Sequence, residues 1–284
     1  MLDSVPLPLQ AIFWLLAGAA IILAVGRFLP NWLRRLVALV ASAASLVNLW
    51  SLRGDSGDTI EIFWEPLNLF RMSPLLQIDG LSLGLGIILV AATAVLVLGI
   101  RGYRARRTLW HGLILVAMAG ILLMLMAANL PTLALGSGLI DLALMAMAGM
   151  AVGDTGRGAW RMAVPGVGST LLLVAAGLQM STEVGTSVLS AARITDQALI
   201  LLGIAGLLRV LVFPLHPRRL GSPQNAATLI LLVGSGLYLL VRVQAIAPVL
   251  AGQAWILSLA GIAFLAGAVL TWIGQGWTGA AIHQ

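Results

Sequence analysis

Three charged side chains, Asp141, Arg209 and Arg242, lie within long apolar stretches of this chain. A charge in hydrocarbon costs roughly 2.5–3.5 kcal/mol even on the mildest insertion scale, so it normally faces protein or water and has a partner. For Asp141 and Arg209 the sequence predicts either a buried ion pair or a path for protons. Arg242 lies near the end of its stretch, where it can extend to the membrane interface instead.

The segment 203–226 combines Arg209 with Pro214 and His216. Pro214 removes a backbone donor and clashes with the preceding turn, so the sequence predicts a broken helix there. Broken helices at membrane depth survive where they line a cavity or pack against neighbours. His216 follows the predicted break and has an ordinary pKa near neutrality, so it either passes protons or simply faces the cytoplasm beside Arg218.

Polar residues precede Asp141 at steps of three to five, at Asn129, Thr132 and Ser137. This spacing puts them on one face of a helix, which we expect to turn towards protein. Histidines and carboxylates do not share the spacing of metal ligands, and the sequence shows no Ser–His–Asp set. The sequence therefore predicts no metal site and no hydrolytic site.

The composition is that of an integral membrane protein. The 284 residues are 60% hydrophobic and 9% charged, whereas soluble domains carry about 25% charged residues. The net charge is +6, but the basic residues fall between apolar stretches and not on one face, which argues against nucleic acid as a partner. There is no cysteine and no lysine, so the permanently basic side chains are all arginine, which does not deprotonate in proteins.

Apolar stretches long enough to cross a bilayer predict a single integral membrane domain over residues 1–284. We count about nine, at roughly 10–29, 34–52, 79–100, 110–128, 130–151, 161–180, 196–214, 225–247 and 254–274. Alternate connections carry most of the arginines, including Arg27, Arg34, Arg35, Arg101, Arg104, Arg106, Arg107, Arg157, Arg161, Arg218 and Arg219. Arginine marks the cytoplasmic side, so we predict a multi-pass protein of the cell (inner) membrane with its N-terminus outside.

The long loop over residues 53–78 falls on the predicted outer face. Its sequence alternates polar and apolar residues at 59–65. This pattern predicts a short strand or hairpin arm. An interfacial loop anchored by Phe63 and Trp64 is the alternative, since aromatic residues collect at that depth.

Four stretches together resemble the antiporter-like membrane subunits of the complex I superfamily. They are IDGLS at 78–82, NLPTLALG at 129–136, FPLH at 213–216 and GLYLLVR at 236–242. The superfamily comprises proton-pumping NADH:quinone oxidoreductases, membrane-bound hydrogenases and multisubunit cation/proton antiporters. The resemblance implies an all-α transmembrane bundle that corresponds to the N-terminal part of the antiporter-like fold, with a broken seventh helix. It assigns Asp79 and Arg242 to two of these motifs as secondary site residues.

The sequence departs from the family at its charged positions. Where the family has a tryptophan and a glutamate in the fifth helix, this chain has Ser137 and Gly138, and its acid is Asp141. The lysine expected five residues before Pro214 is Arg209, and the sequence does not continue into the family's lysine-bearing tenth helix. These differences imply a shortened, degenerate subunit.

The resemblance also implies a role and partners. It implies a structural part or a partial proton path in an NADH:quinone oxidoreductase-like assembly, beside other membrane subunits of a redox or antiporter complex. No catalytic activity is expected of this chain by itself, and no cofactor is expected on it, because NADH, flavin and iron–sulfur chemistry and electron transport to quinone would belong to partners. The alternative is a free-standing or homodimeric cation/proton transporter built from half of the antiporter fold.

Overall fold

The computed structural model describes residues 6–52, 59–61, 75–99, 109–149, 157–185, 188–189, 194–215 and 223–246. Within these residues the chain forms eight helices and two short strands. The helices are α1 (Leu7–Val25), α2 (Asn31–Ser51), α3 (Gly80–Gly99), α4 (Trp110–Leu125), α5 (Leu130–Gly149), α6 (Arg157–Glu183), α7 (Asp196–Leu215) and α8 (Pro223–Ile246); the strands are β1 (Thr59–Glu61) and β2 (Leu75–Gln77).

The eight helices coincide with the first eight predicted apolar stretches, so the predicted all-α bundle is confirmed. The ninth predicted stretch, 254–274, lies outside the described residues. Four helices are long and apolar enough within the described part to cross a membrane: α1, α2, most of α5, and the part of α6 from residue 164 onwards. Apolar segments of α3, α4 and α8 are shorter. The chain is a multi-pass membrane protein.

Helix α4 is the centre of the bundle. Every one of its 16 residues except Val116 is buried. It packs against α1, α3 and α5, and α8 also contacts it. The remaining neighbours follow one another, because α5 packs on α6, α6 on α7 and α7 on α8. This succession brings α5, α6, α7 and α8 around one shared interior.

The two strands lie at one end of the bundle. β1 pairs with β2 in antiparallel register, with Ile60 opposite Leu76. This places a strand in the loop where the alternating pattern predicted one, and residues 62–74 lie outside the described part. The backbone of β2 also binds the connection between α4 and α5: Gln77 N–H donates to the Met126 carbonyl at 2.7 Å, and Ala128 N–H donates to the Leu75 carbonyl at 2.9 Å.

The opposite end of the bundle contains the turn between α1 and α2. The first turn of α4 lies there as well, since Gly112 is packed against Leu23 and the Ala19 carbonyl of α1. Arg34, in the first turn of α2, is buried and its Nε–H donates to the Leu29 carbonyl at 3.1 Å. We call this the arginine end, and the end with the strands and Asp79 the acid end.

Candidate functional site

Arg209 is the largest fully buried side chain of the described residues, with 0% exposure. It shares a face of α7 with Leu202 and Ala205, which are also fully buried. The steps of three and four residues between them put all three side chains on the side that packs against α6 and α8. A guanidinium group is therefore held in the interior of a membrane domain.

The structure brings Arg209 into contact with Asp141, the acid of α5. The Nη2 atom of Arg209 lies 2.7 Å from Oδ2 of Asp141, and the acid side chain is 4% exposed. Both charged groups are removed from water by burial. Their mutual attraction and their other hydrogen bonds must therefore offset the free-energy cost of desolvating each group. The pair joins α5 to α7 across the shared interior.

Serine oxygens accept further hydrogen bonds from the Arg209 guanidinium. Nε–H donates to Ser169 Oγ at 3.0 Å, and Nη1–H donates to Ser235 Oγ at 3.1 Å. Nη2 also donates to the carbonyl of Ser137 at 3.3 Å and to its hydroxyl. Arg209 thus bonds to α5, α6 and α8, and each of its three side-chain nitrogens has an acceptor.

The carboxylate of Asp141 is held from α6. Thr170 donates its hydroxyl to Oδ2 at 2.6 Å, and the hydroxyls of Thr170 and Ser137 lie 2.7 Å apart. The other oxygen, Oδ1, is buried and has no hydrogen-bond partner among the described residues. It faces Gly166, where a Cβ atom would lie 2.6 Å from it. The carboxylate can approach α6 this closely because residue 166 has no side chain.

A second glycine brings α8 against Arg209. A Cβ atom at Gly236 would lie 2.8 Å from Cβ of Arg209 and 3.0 Å from the carbonyl oxygen of Gly206. Since no side chain separates them, the backbones of α7 and α8 come close at this point. The neighbouring Ser235 then lies within hydrogen-bond distance of the guanidinium.

The polar face predicted on α5 divides into two parts. Ser137 and Asp141 belong to the site just described. Asn129 and Thr132 organise the start of the helix instead: Thr132 N–H donates to Asn129 Oδ1 at 3.1 Å, and Leu75 N–H of β2 donates to Thr132 Oγ1 at 2.9 Å. Asn129 and Thr132 therefore attach the start of α5 to the acid end.

Arg242 and Asp79 form a second ion pair at the acid end. Arg242 is 9% exposed, and its guanidinium is bound by the Asp79 carboxylate. Asp79 precedes α3 and accepts the Ser82 backbone N–H at 2.6 Å. Burial alone would raise the pKa of Asp79, but the Ser82 backbone N–H and the Arg242 guanidinium outweigh it and hold the pKa below its usual range.

Of the two remaining predicted residues, Pro214 lies at the end of α7. The helix continues through Pro214 and ends one residue later, at Leu215. His216 lies outside the described residues, and α8 begins at Pro223. The role of His216 stays a prediction.

Sequence reasoning missed Ser169, Thr170 and Ser235. Serine and threonine are ordinary residues of membrane helices, where they bond to backbone carbonyls as readily as to other side chains. The described residues contain no group of three or more histidine, cysteine, aspartate or glutamate side chains that could hold a metal ion. The site offers a carboxylate, a permanent cation and hydroxyls, so it can fix charge and order helices.

Comparison with solved structures identifies the fold. No family model matches the sequence, and no curated protein matches it. Several solved structures contain a similar chain, among them three membrane complexes. A chain of the Mrp complex from Dietzia sp. DQ12-45-1b is 17% identical with a TM-score of 0.71, over 93% of this chain and 33% of that one. A chain of the membrane-bound sulfane sulfur reductase, an archaeal respiratory membrane complex, is 16% identical with a TM-score of 0.66, over 84% and 40%.

Another similar structure is respiratory complex I from Thermus thermophilus with bound aureothin. One of its chains is 16% identical to this chain with a TM-score of 0.63, over 93% of this chain and 62% of that one. The chain thus spans between a third and about three fifths of the length of these solved chains. These likenesses confirm the predicted architecture: the chain has the same fold as chains of these three membrane complexes.

Proposed function

We propose that this chain is a membrane subunit of a multisubunit, ion-translocating complex of the NADH:quinone oxidoreductase type, in which the Asp141–Arg209 pair is structural. The observation that carries the proposal is the state of Arg209: it is fully buried and bonded to three neighbouring helices. A lysine can lose its proton when burial lowers its pKa, whereas arginine keeps its charge in proteins. A cation fixed in this way suits helix assembly better than proton transfer.

The pair is tested by removing its charges singly and together. Asp141→Asn or Arg209→Leu alone leaves a buried charge without its counter-charge, which typically costs about 3–5 kcal/mol. Each single variant should therefore lower the melting temperature or the yield of assembled complex. The double variant Asp141→Leu/Arg209→Leu should recover much of the loss, because apolar residues can replace a buried pair.

The rate of proton translocation by the host complex distinguishes a structural role of the pair from a role in a proton path. We expect the double variant to translocate nearly as fast as the natural complex when the amount of assembled complex is matched. Loss of translocation with normal assembly would show that the pair belongs to a working path.

Partner subunits are the second part of the proposal. The similar chains all come from multisubunit membrane complexes, which supports partners for this chain as well. Purification in a mild detergent should recover other membrane subunits with it, and the redox cofactors should be on those partners. A homo-oligomer that transports cations after reconstitution into liposomes would instead support the half-fold transporter.

A further inference from the structure

The guanidinium of Arg209 lies in a cage of oxygen atoms that belong to three other helices. We use the term oxygen cage for the Ser137 carbonyl and hydroxyl and Asp141 of α5, the hydroxyls of Ser169 and Thr170 of α6, and the Ser235 hydroxyl of α8. α7 supplies the cation and α5, α6 and α8 supply the ligands. The cation and its binding site therefore come from different parts of the bundle.

The distances in the oxygen cage fit a hydrogen-bonding cation. The nitrogens of Arg209 lie 3.0 Å from Ser169, 3.1 Å from Ser235 and 2.7 Å from Asp141. These are lengths of N–H···O bonds. The bonds run to three different nitrogens of a planar group, whereas a hard metal ion such as Ca²⁺ requires its oxygens at about 2.3–2.6 Å from a single centre. The cage is therefore sized for a planar group with N–H donors.

The charge of the oxygen cage selects a monocation. Asp141 is its one carboxylate, and the other ligands are neutral. A monocation neutralises this carboxylate, whereas a divalent ion would leave a net positive charge in an apolar interior, which is costly.

The oxygen cage has hydrogen bonds of its own that do not involve Arg209. Thr170 donates to Asp141 at 2.6 Å, and the hydroxyls of Thr170 and Ser137 lie 2.7 Å apart. Gly166 allows the carboxylate to lie directly against α6. The ligands on α5 and α6 are therefore held in place by each other, and this arrangement can persist when the arginine side chain is shortened.

We propose that α5, α6 and α8 form a binding site for a guanidinium-type monovalent cation, which Arg209 fills from α7 as a covalently attached ligand. In the natural chain the site is closed to mobile cations, because its ligand cannot diffuse away.

Chemical rescue tests the proposal in the full-length chain. Arg209→Ala empties the oxygen cage, and cavities made by truncation in protein interiors admit small ligands. Millimolar guanidinium chloride should raise the melting temperature of this variant in detergent or nanodiscs by about 5 °C, with saturation. The natural chain should not respond, since denaturation by guanidinium needs molar concentrations. Absence of any rise would overturn the proposal.

Matched controls separate this site from a general salt effect. Sodium chloride has the charge without the N–H donors, and urea has the planar donors without the charge; neither should rescue Arg209→Ala. Arg242→Ala removes another buried arginine, whose acidic ligand is the partly exposed Asp79, and guanidinium should leave the melting temperature of this variant unchanged. Guanidinium should also fail with Asp141→Asn/Arg209→Ala. Equal rescue in any control would contradict the proposal.

Variants that keep Arg209 test the same site where Arg209→Ala does not accumulate. Ser169→Ala and Ser235→Ala each remove one oxygen from the guanidinium and should lower the melting temperature by a few degrees. Ser45→Ala is the control, because Ser45 is buried on α2 and its hydroxyl has no partner among the described residues. Losses no larger than that of Ser45→Ala would overturn the proposal. They would leave the double-variant test of the proposed function intact.

Discussion

At the residue scale, Gly166 determines how the ion pair fits between α5 and α6. The Asp141 carboxylate lies so close to the α6 backbone that a Cβ atom at residue 166 would be 2.6 Å from Oδ1 and 2.9 Å from the carboxyl carbon. A side chain at this position would push the acid towards α7 or push α6 away. The pair therefore depends on a residue that makes no bond to it.

Gly166→Ala should lower the free energy of unfolding by about 1–3 kcal/mol, the usual cost of overpacking a core. Gly168→Ala is the matched control on the same helix, because its Cβ would meet only Leu208 at 3.7 Å, an ordinary contact. Since alanine is the better helix former, Gly168→Ala should be neutral or stabilising by up to about 1 kcal/mol. Thermal unfolding of both variants measures the difference, and equal melting temperatures would contradict the steric argument.

The charged residues of the site could be predicted from the sequence, but its hydroxyl groups could not. A charge in an apolar stretch needs a partner whatever the fold, so Asp141 and Arg209 were recognisable from their types alone. A hydroxyl can satisfy itself within its own helix. Ser42 donates to the Ala38 carbonyl at 2.9 Å and Thr93 to the Leu89 carbonyl at 2.8 Å. The sequence does not distinguish these from Ser169, which reaches Arg209.

At the scale of an element, Asp79 both starts α3 and fastens it to α8. Its carboxylate accepts the Ser82 backbone N–H, and its own backbone N–H donates to Ser82 Oγ at 3.0 Å. This reciprocal arrangement is that of a capping box, with serine in the third position. The carboxylate also accepts a hydrogen bond from Arg242 near the end of α8. One acid thus joins the start of one helix to the end of another.

Replacing Asp79 by asparagine or by alanine separates these two roles. Asparagine caps a helix about as well as aspartate, so Asp79→Asn should lose only the ion pair with Arg242. Asp79→Ala loses the cap as well and should be less stable than Asp79→Asn by about 1 kcal/mol. Denaturation midpoints of the two variants provide the test, and equal midpoints would mean that the cap contributes nothing.

The pKa of Asp79 predicts how this link responds to pH. A carboxyl whose folded pKa is below its unfolded value of 3.8 stabilises the fold above that pH, and the stabilisation is lost as pH falls through the folded pKa. The natural chain should therefore melt above Asp79→Asn by a constant margin near neutrality, and the margin should shrink as the pH falls below 3.8. Melting curves of both proteins between about pH 6 and about pH 3 measure the margin. A margin that is independent of pH would contradict the assignment.

At the scale of the whole molecule, the helices of the bundle were largely predictable from the sequence. The contacts between residues far apart in the sequence were not. Eight apolar stretches had the length of spans, and each became a helix. Arg242 and Asp79 are 163 positions apart. Periodicity places a residue on a face of its own helix but does not say which distant residue it meets, so the sequence favoured the membrane interface for Arg242.

The distribution of arginine between the two ends of the bundle predicts its orientation in the membrane. The arginine end carries Arg27 and Arg34, and the acid end carries Asp79 and the strands. Because arginine marks the cytoplasmic side, the arginine end should face the cytoplasm and the N-terminus should be outside. The chain has no cysteine, so single cysteines can be introduced without background. In intact cells, an impermeant maleimide should label Ser56→Cys.

The same reagent should label Phe28→Cys and Ala105→Cys only after the membrane is opened. Phe28 lies in the turn at the arginine end and is 72% exposed, so its labelling reports the side of the membrane and not burial. Ala105 lies in the predicted loop with four arginines, which should be retained on the same side. Agreement between Phe28→Cys and Ala105→Cys is expected whichever way the bundle is inserted, because an even number of helices separates them. If Phe28→Cys and Ala105→Cys were labelled in intact cells and Ser56→Cys were not, the orientation would be the reverse of the predicted one. That result would contradict the positive-inside argument.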